Sequence, residues 1–244
     1  MMTEILQKSI PYDPLAERPL PGIQPLSIED WLLRDDAFAE QMAERERLLA
    51  ERRADVLAMD ESAMPAAQEL LDLVLAQSYP GATGRVTRPD GVEVQIDRAQ
   101  PLDTLCRLVQ EDLCILQKRG DEHVLMAANL CFPASWKLSE KFMRPLIAIH
   151  DPVVSYDDNI ARRVQRLFDG IQPGRPLWRY NALWYEDATL FQPRSASAPR
   201  PVRDREGAHY LRSERQSLLR LPESRAVVFS IHTFVLEAAS LNRG

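Results

Sequence analysis

His209-Tyr210-Leu211-Arg212-Ser213-Glu214-Arg215-Gln216-Ser217-Leu218-Leu219 and Ala226-Val227-Val228-Phe229-Ser230-Ile231-His232-Thr233-Phe234-Val235-Leu236 read as two long β-strands separated by the polar turn around Pro222. Both are rich in β-branched, aromatic and alternating residues, which suit a pleated, buried surface. In the first, the two-residue period puts Arg212, Glu214 and Gln216 on one face and Ser213, Arg215 and Ser217 on the other. Residues 123–132 and 177–185 are two further runs of the same kind. Between them Ile160, Val164, Leu167 and Phe168 recur among arginines at the spacing of an amphipathic helix. Strands without regular intervening helices cannot form an all-parallel sheet. The prediction is therefore an α+β protein whose antiparallel sheet carries helices on one face.

Upstream the signals are mostly helical. Pro14, Pro19, Pro21 and Pro25 deny helix formation and predict an extended arm over residues 1–26 that lies across the body. Ser27, followed by Asp30 and Trp31-Leu32-Leu33, reads as the N-cap of a helix. Phe38, Met42, Leu48, Leu49, Val56 and Leu57 predict one long amphipathic helix over residues 36–59. Pro65 opens another, carrying Leu70, Leu71, Val74 and Leu75, that Tyr79-Pro80-Gly81 stops. Asp90-Gly91 between two short β-type runs reads as a hairpin. A helix over residues 103–118, ended by Gly120, completes a helical N-terminal part of about 27–118 within a single domain of 27–244.

Composition narrows the function classes. The 244 residues are 45% hydrophobic and 27% charged, with a net charge of −6, which suits a chain with a substantial core and excludes a disordered one. The charge is uneven: residues 161–225 carry 13 Arg against 7 acids, and residues 1–160 carry 16 Lys and Arg against 28 acids. An arginine excess suits a carboxylate or phosphate partner, but the acidic balance and the lack of a basic-aromatic motif argue against nucleic acid. Cys106, Cys114 and Cys131 have no CxxC spacing and read as small buried hydrophobes. Neither a cleavable leader nor a long apolar span is legible, so a cytoplasmic protein with no membrane partner is expected.

The common catalytic motifs are absent: no glycine-rich phosphate cradle, dinucleotide fingerprint, HExxH or GxSxG occurs. Of the four histidines, His150 is best placed for a metal, because Pro145-Leu146-Ile147-Ala148-Ile149 carries it out of an apolar run into a loop. A structural histidine bonded at an element end explains the same residues. His232, within a strand, reads as a packing or surface residue. Arg212, Glu214 and Gln216, like Arg179 and Asn181 on the preceding strand, could line a polar binding face or form exposed cross-strand pairs. Trp136, Trp178 and Trp184 suit core or rim packing.

The order of motifs resembles a known family. The series runs through Pro25-Leu26, Asp30-Trp31-Leu32, Val109-Gln110-Glu111-Asp112-Leu113, Ala127-Ala128-Asn129-Leu130-Cys131-Phe132-Pro133-Ala134-Ser135-Trp136 and Glu140-Lys141. It continues with Pro145-Leu146-Ile147-Ala148-Ile149-His150-Asp151-Pro152-Val153, Arg179-Tyr180-Asn181, Leu190-Phe191-Gln192-Pro193, Arg212-Ser213-Glu214-Arg215-Gln216-Ser217-Leu218, Arg220-Leu221-Pro222 and Ile231-His232-Thr233-Phe234. This series is similar to the haem-dependent oxidative N-demethylase catalytic (alpha) subunits and their relatives, over nearly the whole chain.

The resemblance implies a PAS-like fold binding haem b, and oxidation of a small secondary amine such as dimethylamine with dioxygen. It also implies electrons from partner reductase subunits carrying FMN and a 2Fe–2S cluster. His150 becomes the proximal iron ligand. Arg179 and Arg212 could neutralise the haem propionates, Glu214 could hold the protonated amine, and Arg215 or Asn181 could polarise bound oxygen. Ala182 stands where the family pattern leads one to expect Trp, which predicts an altered pocket wall. A haem-based gas or redox sensor, or a structural subunit without cofactor, would keep the fold and lack the turnover.

Overall fold

The computed structural model describes residues 4–16, 22–150, 158–195, 198 and 204–242, without the side chains of His150, residues 158–162 and Asn242. Its centre is a seven-stranded antiparallel sheet in the order β1-β7-β8-β9-β5-β6-β2, formed by β1 (Gln24–Pro25), β2 (Leu57–Met59), β5 (Asp112–Arg119), β6 (Glu122–Asn129), β7 (Leu177–Tyr185), β8 (Tyr210–Arg220) and β9 (Val227–Glu237). A separate hairpin joins β3 (Arg85–Thr87) to β4 (Glu93–Gln95). The α+β reading with an antiparallel sheet is thus observed, but helices flank both faces of it.

Alternation along the strands sorts side chains into two cores. On one face Leu113, Ile115, Leu219 and Val228 meet Leu70, Leu71 and Val74 of α3 (Met64–Ser78) and Leu105 and Leu108 of α4 (Pro101–Leu108). On the other, Cys114, Leu116, Leu125, Leu218 and Ile231 meet α5 (Leu138–Lys141), α6 (Leu146–His150) and α7 (Asp158–Gly170). A register shift between Ile115 and Leu116 pairs them with Ala127 and Leu125, leaving Met126 as the extra residue. That bulge turns the strand and allows Met126 and Ala127 to join the first core together.

Several expectations hold. The hairpin around Asp90-Gly91, the helix opened by Pro65 and closed at Tyr79, the helix over residues 159–168 and the four long strands all form near their predicted bounds. Other helical expectations fail for identifiable reasons. At Ser27 there is only a 3-10 turn, Ile28–Asp30, and the Ser27 hydroxyl bonds the Glu29 carboxylate rather than a backbone N–H. The long helix over 36–59 is three elements: α1 (Phe38–Glu51), the single turn α2 (Arg53–Val56) and β2, whose residues pair with Asn129, Ala128 and Ala127. The helix over 103–118 stops at Leu108, and Asp112 begins a strand. The continuous apolar run Leu113–Leu116 fits a buried strand as well as a helix, so periodicity could not decide it. Gly120, with φ +61°, is the hairpin turn to β6 rather than a helix end.

The switch at Asp112 has a physical cause in Arg45 of α1, which is fully buried. It donates from Nε to the Cys106 carbonyl (3.0 Å), from Nη1 to the Gln110 carbonyl (3.1 Å) and Asp112 Oδ1 (2.7 Å), and from Nη2 to the Glu111 carbonyl (3.0 Å). Those carbonyls must point at the guanidinium, so they cannot continue the helix. Asp112 in turn accepts the Cys131 and Phe132 N–H groups, at 2.7 and 2.8 Å. Removing one partner of a buried ion pair leaves the other charge uncompensated. Asp112→Ala should cost about 3–5 kcal/mol, read as a lower urea midpoint with little change in slope.

Candidate functional site

The sheet face under α5, α6 and α7 is not fully packed. It leaves a cavity of about 380 Å³, within the range of small-molecule and cofactor sites. Leu116, Leu125, Leu146, Ile149, Val164, Leu167, Phe168, Leu218, Phe229 and Ile231 supply apolar walls, and a short list of polar groups interrupts them: Lys141, Arg179, Asn181, Glu214 and Gln216.

Glu214 comes from the middle of β8, directly opposite Asn181 on β7. Its carboxylate is almost completely buried, and Oε2 accepts from Asn181 Nδ2 and Gln216 Nε2, each at 3.2 Å. The Asn181 amide carbonyl accepts the Glu214 backbone N–H at 3.2 Å, so the two side chains orient each other. Arg212 Nη2 lies 3.6 Å from Glu214 Oε1. Two neutral amide donors thus occupy Oε2, and the Arg212 guanidinium is the cation beside Oε1.

Arg179 lies on the same face, and burial lowers its tendency to stay charged. Its Nε is buried without a hydrogen-bond partner. Lys141, at the end of α5, holds its Nζ 4.6 Å from the centre of the Trp136 ring. Burial lowers its ammonium pKa, with Cys114, Glu140 and Glu214 opposing that shift. Cys114, a third wall residue, has its thiol pKa pushed up by burial, so it is a neutral thiol.

The other residues singled out in the sequence lie elsewhere. Arg212 is on the cavity side of β8, but its Nη1 and Nη2 are taken by the Leu190 and Phe132 carbonyls at 2.9 and 2.6 Å, and it does not line the cavity. Arg215 projects from the opposite face, where it donates to the Trp31 and Asp30 carbonyls at 3.0 and 2.7 Å and lies over Trp178. The structure therefore does not bring Arg215 together with Asn181 and Glu214. Ala182 pairs with Ser213 on that same far face, so the altered-wall expectation is corrected: an indole there would meet Tyr12 and Ser213, not the cavity. The side chain of His150 and the following residues 151–157 lie outside the described residues; α6 brings the backbone of His150 next to the cavity-lining Ile149. Most of the loop 194–201 is also outside them.

Two features were missed. Lys141 gave no signal beyond its place in a motif, because its partner Trp136 is in an irregular segment. Cys106 and Cys131, 25 positions apart, have their sulfurs 3.3 Å from each other as free thiols. Among the described residues no group of three or more His, Cys, Asp or Glu side chains is arranged to hold a metal ion.

The far face holds a second polar network. His232 is buried between two carboxylates, with Nδ1 3.0 Å from Glu111 and Nε2 3.0 Å from Asp35. It is neither an apolar packing residue nor a surface one. Burial by itself lowers the imidazole pKa, but the hydrogen bonds and charges of Asp35 and Glu111 outweigh it and raise the pKa to about 9. Gln110 bridges Asp35 and Gln41, and Gln7 reaches Asp35 from the N-terminal arm.

A family model described as "Haem-dependent oxidative N-demethylase, alpha subunit-like" matches residues 22–243. The chain belongs to that family of haem-dependent, N-demethylase-like proteins. The cavity's residues fit such a group. Haem needs apolar walls and partners for two carboxylates, and the lining offers apolar side chains together with a buried Arg179 N–H that has no hydrogen-bond partner. Among the described residues no helix is long and apolar enough to cross a membrane.

Because the folded pKa of His232 lies above the value of about 6.5 for free histidine, its stabilising contribution is complete below that value. It is lost as pH rises through about 9. Thermal or urea unfolding should report a loss on the order of 3 kcal/mol between pH 7 and 10. In His232→Gln that slope should flatten.

Proposed function

We propose that this chain is the catalytic subunit of a haem-dependent oxidative N-demethylase acting on a small secondary amine of the dimethylamine class, with dioxygen as oxidant. In this reading residues 27–244 form one haem-binding, PAS-like domain behind an arm of 1–26. Partner subunits carrying FMN and a 2Fe–2S cluster deliver the electrons, and the assembly is cytoplasmic. The observation that carries the proposal is the buried Glu214 carboxylate in the wall of an apolar cavity. A desolvated carboxylate held by two amides, whose neighbouring cation Arg212 lies 3.6 Å away and is also bound to two carbonyls, has room for a cationic guest, and a protonated secondary amine meets that need.

His150 would hold the haem iron in this reading, its backbone being one residue after the cavity-lining Ile149. Arg179 holds a propionate through its unpartnered guanidinium edge. When bound, the haem supplies oxygen activation and the redox chemistry. The protein's own part is positional. Glu214 accepts the two N–H hydrogens of the ammonium, or takes one proton so that the free amine lies in the pocket. Asn181 fixes which way the carboxylate faces. Leu116, Phe229 and Ile231 exclude water and confine the N-methyl groups. The terminal nitrogens of Arg212 and Arg215 are engaged with backbone carbonyls, so their part is to hold β8 against its neighbours.

His150→Ala should abolish the Soret band of the reconstituted chain, measured by absorbance after gel filtration. Unchanged haem uptake in that variant overturns the ligand assignment. Glu214→Gln should keep the Soret band while formaldehyde formation from dimethylamine, with a reductase present, falls by about 100-fold, the order expected for losing a buried charge-assisted contact. Turnover unaffected by that change would remove the amine-binding role.

A further inference from the structure

We propose that Lys141 is a binding cation of the cavity: with Arg179 it takes the two carboxylates of a flat, otherwise apolar ligand, a role for which Arg212 is not free. The inference rests on the haem reading above and goes further in naming the second carboxylate partner.

The fully buried cations of the protein are engaged within it. Arg45 is paired with Asp112, and Arg88 with Glu46 and Asp90. Arg212 and Arg215 hold backbone carbonyls with their terminal nitrogens, Arg212 with Glu214 3.6 Å away as well, and Arg220 donates to Ile171, Arg225 and Phe168. Among the described residues Lys141 and Arg179 differ from all of these: neither has a carboxylate within ion-pair distance or a hydrogen bond to a carbonyl, and both line the same cavity. Both are half-buried, and a partly desolvated charge without a partner is still costly, so two of them lining one apolar space mark a site completed by an anion.

The two charges also come from different walls, Lys141 from α5 and Arg179 from β7. A ligand with two separate carboxylates can meet both. The Trp136 ring, 4.6 Å from Lys141 Nζ, partly offsets the missing counter-charge and itself lines the cavity. Glu214, the one carboxylate lining the cavity, is engaged by Asn181 and Gln216 and is not in ion-pair contact with either cation.

The test uses the full-length chain freed of haem, titrated with ferric protohaem and with its dimethyl ester. Binding is followed by the Soret band and by quenching of tryptophan fluorescence, with circular dichroism melts as the folding control. Lys141→Met should weaken protohaem binding about tenfold, the scale of one charge-assisted contact, and leave the ester within about twofold of wild type. Lys141→Arg should recover most of the loss, and Arg179→Met should behave like Lys141→Met. If Lys141→Met does not fold, Lys141→Gln serves the same comparison. Equal weakening of protohaem and ester assigns Lys141 to packing and overturns the inference, as does protohaem binding that the variant leaves unchanged. Wild-type protein that takes up neither ligand sinks the haem reading itself, a result distinct from both.

Discussion

A guanidinium sealed from water has five N–H bonds to satisfy, and in this protein Arg45 satisfies them at the place where helix gives way to sheet. Its acceptors are the carbonyls that α4 and the approach to β5 leave over, together with Asp112. Asp112 then takes the two N–H groups that follow β6. One ion pair thereby fixes where β5 begins, where β6 ends and how α1 lies against both. Everything downstream depends on that start. A one-residue slip in β5 would turn Cys114 and Leu116 away from the cavity and replace them with Leu113 and Ile115.

The sheet separates two kinds of polar chemistry. On the far face, His232, Asp35, Glu111, Gln110 and Gln7 are joined by hydrogen bonds that tie the N-terminal segment down, with Glu111 Oε2 buried and left out of them. Such a network stabilises the packing of that segment on the sheet. On the near face the polar groups are few, and two of them, Lys141 and Arg179, are left without an ion-pair partner among the described residues. The contrast between charges paired with one another on one side of the strands and cations without a carboxylate partner on the other distinguishes a structural network from a site. Asn181 and Glu214 belong to the near face because they pair across β7 and β8 at the same level, whereas Arg215, one residue on, belongs to the far one.

Much of this was legible in the residues. The long strands stand out because their alternation persists over many residues, and it also sorted Arg212, Glu214 and Gln216 from Ser213, Arg215 and Ser217. Shorter or uniformly apolar stretches were not legible. Residues 57–59 continue a helical pattern and become strand only because β6 offers a free edge. Residues 113–116 are apolar on successive positions, so that Arg45, far away in sequence, decides the conformation of the segment they begin. The family motifs carried Glu140-Lys141 and the segment around Trp136 without revealing that the two side chains meet.

The sequence by itself determined the class of fold, the faces of the long strands and the family, since these follow from local periodicity and from the order of motifs along the chain. Only the tertiary structure decided which polar residues are already satisfied. Arg212 and Arg179 are the same residue type on adjacent strands of the same face, and each keeps a buried Nε without a hydrogen bond, yet both terminal nitrogens of the first are held by carbonyls while the second lines the cavity. That difference is set by which distant backbone segments fold over each guanidinium, and spacing along a strand carries no record of it.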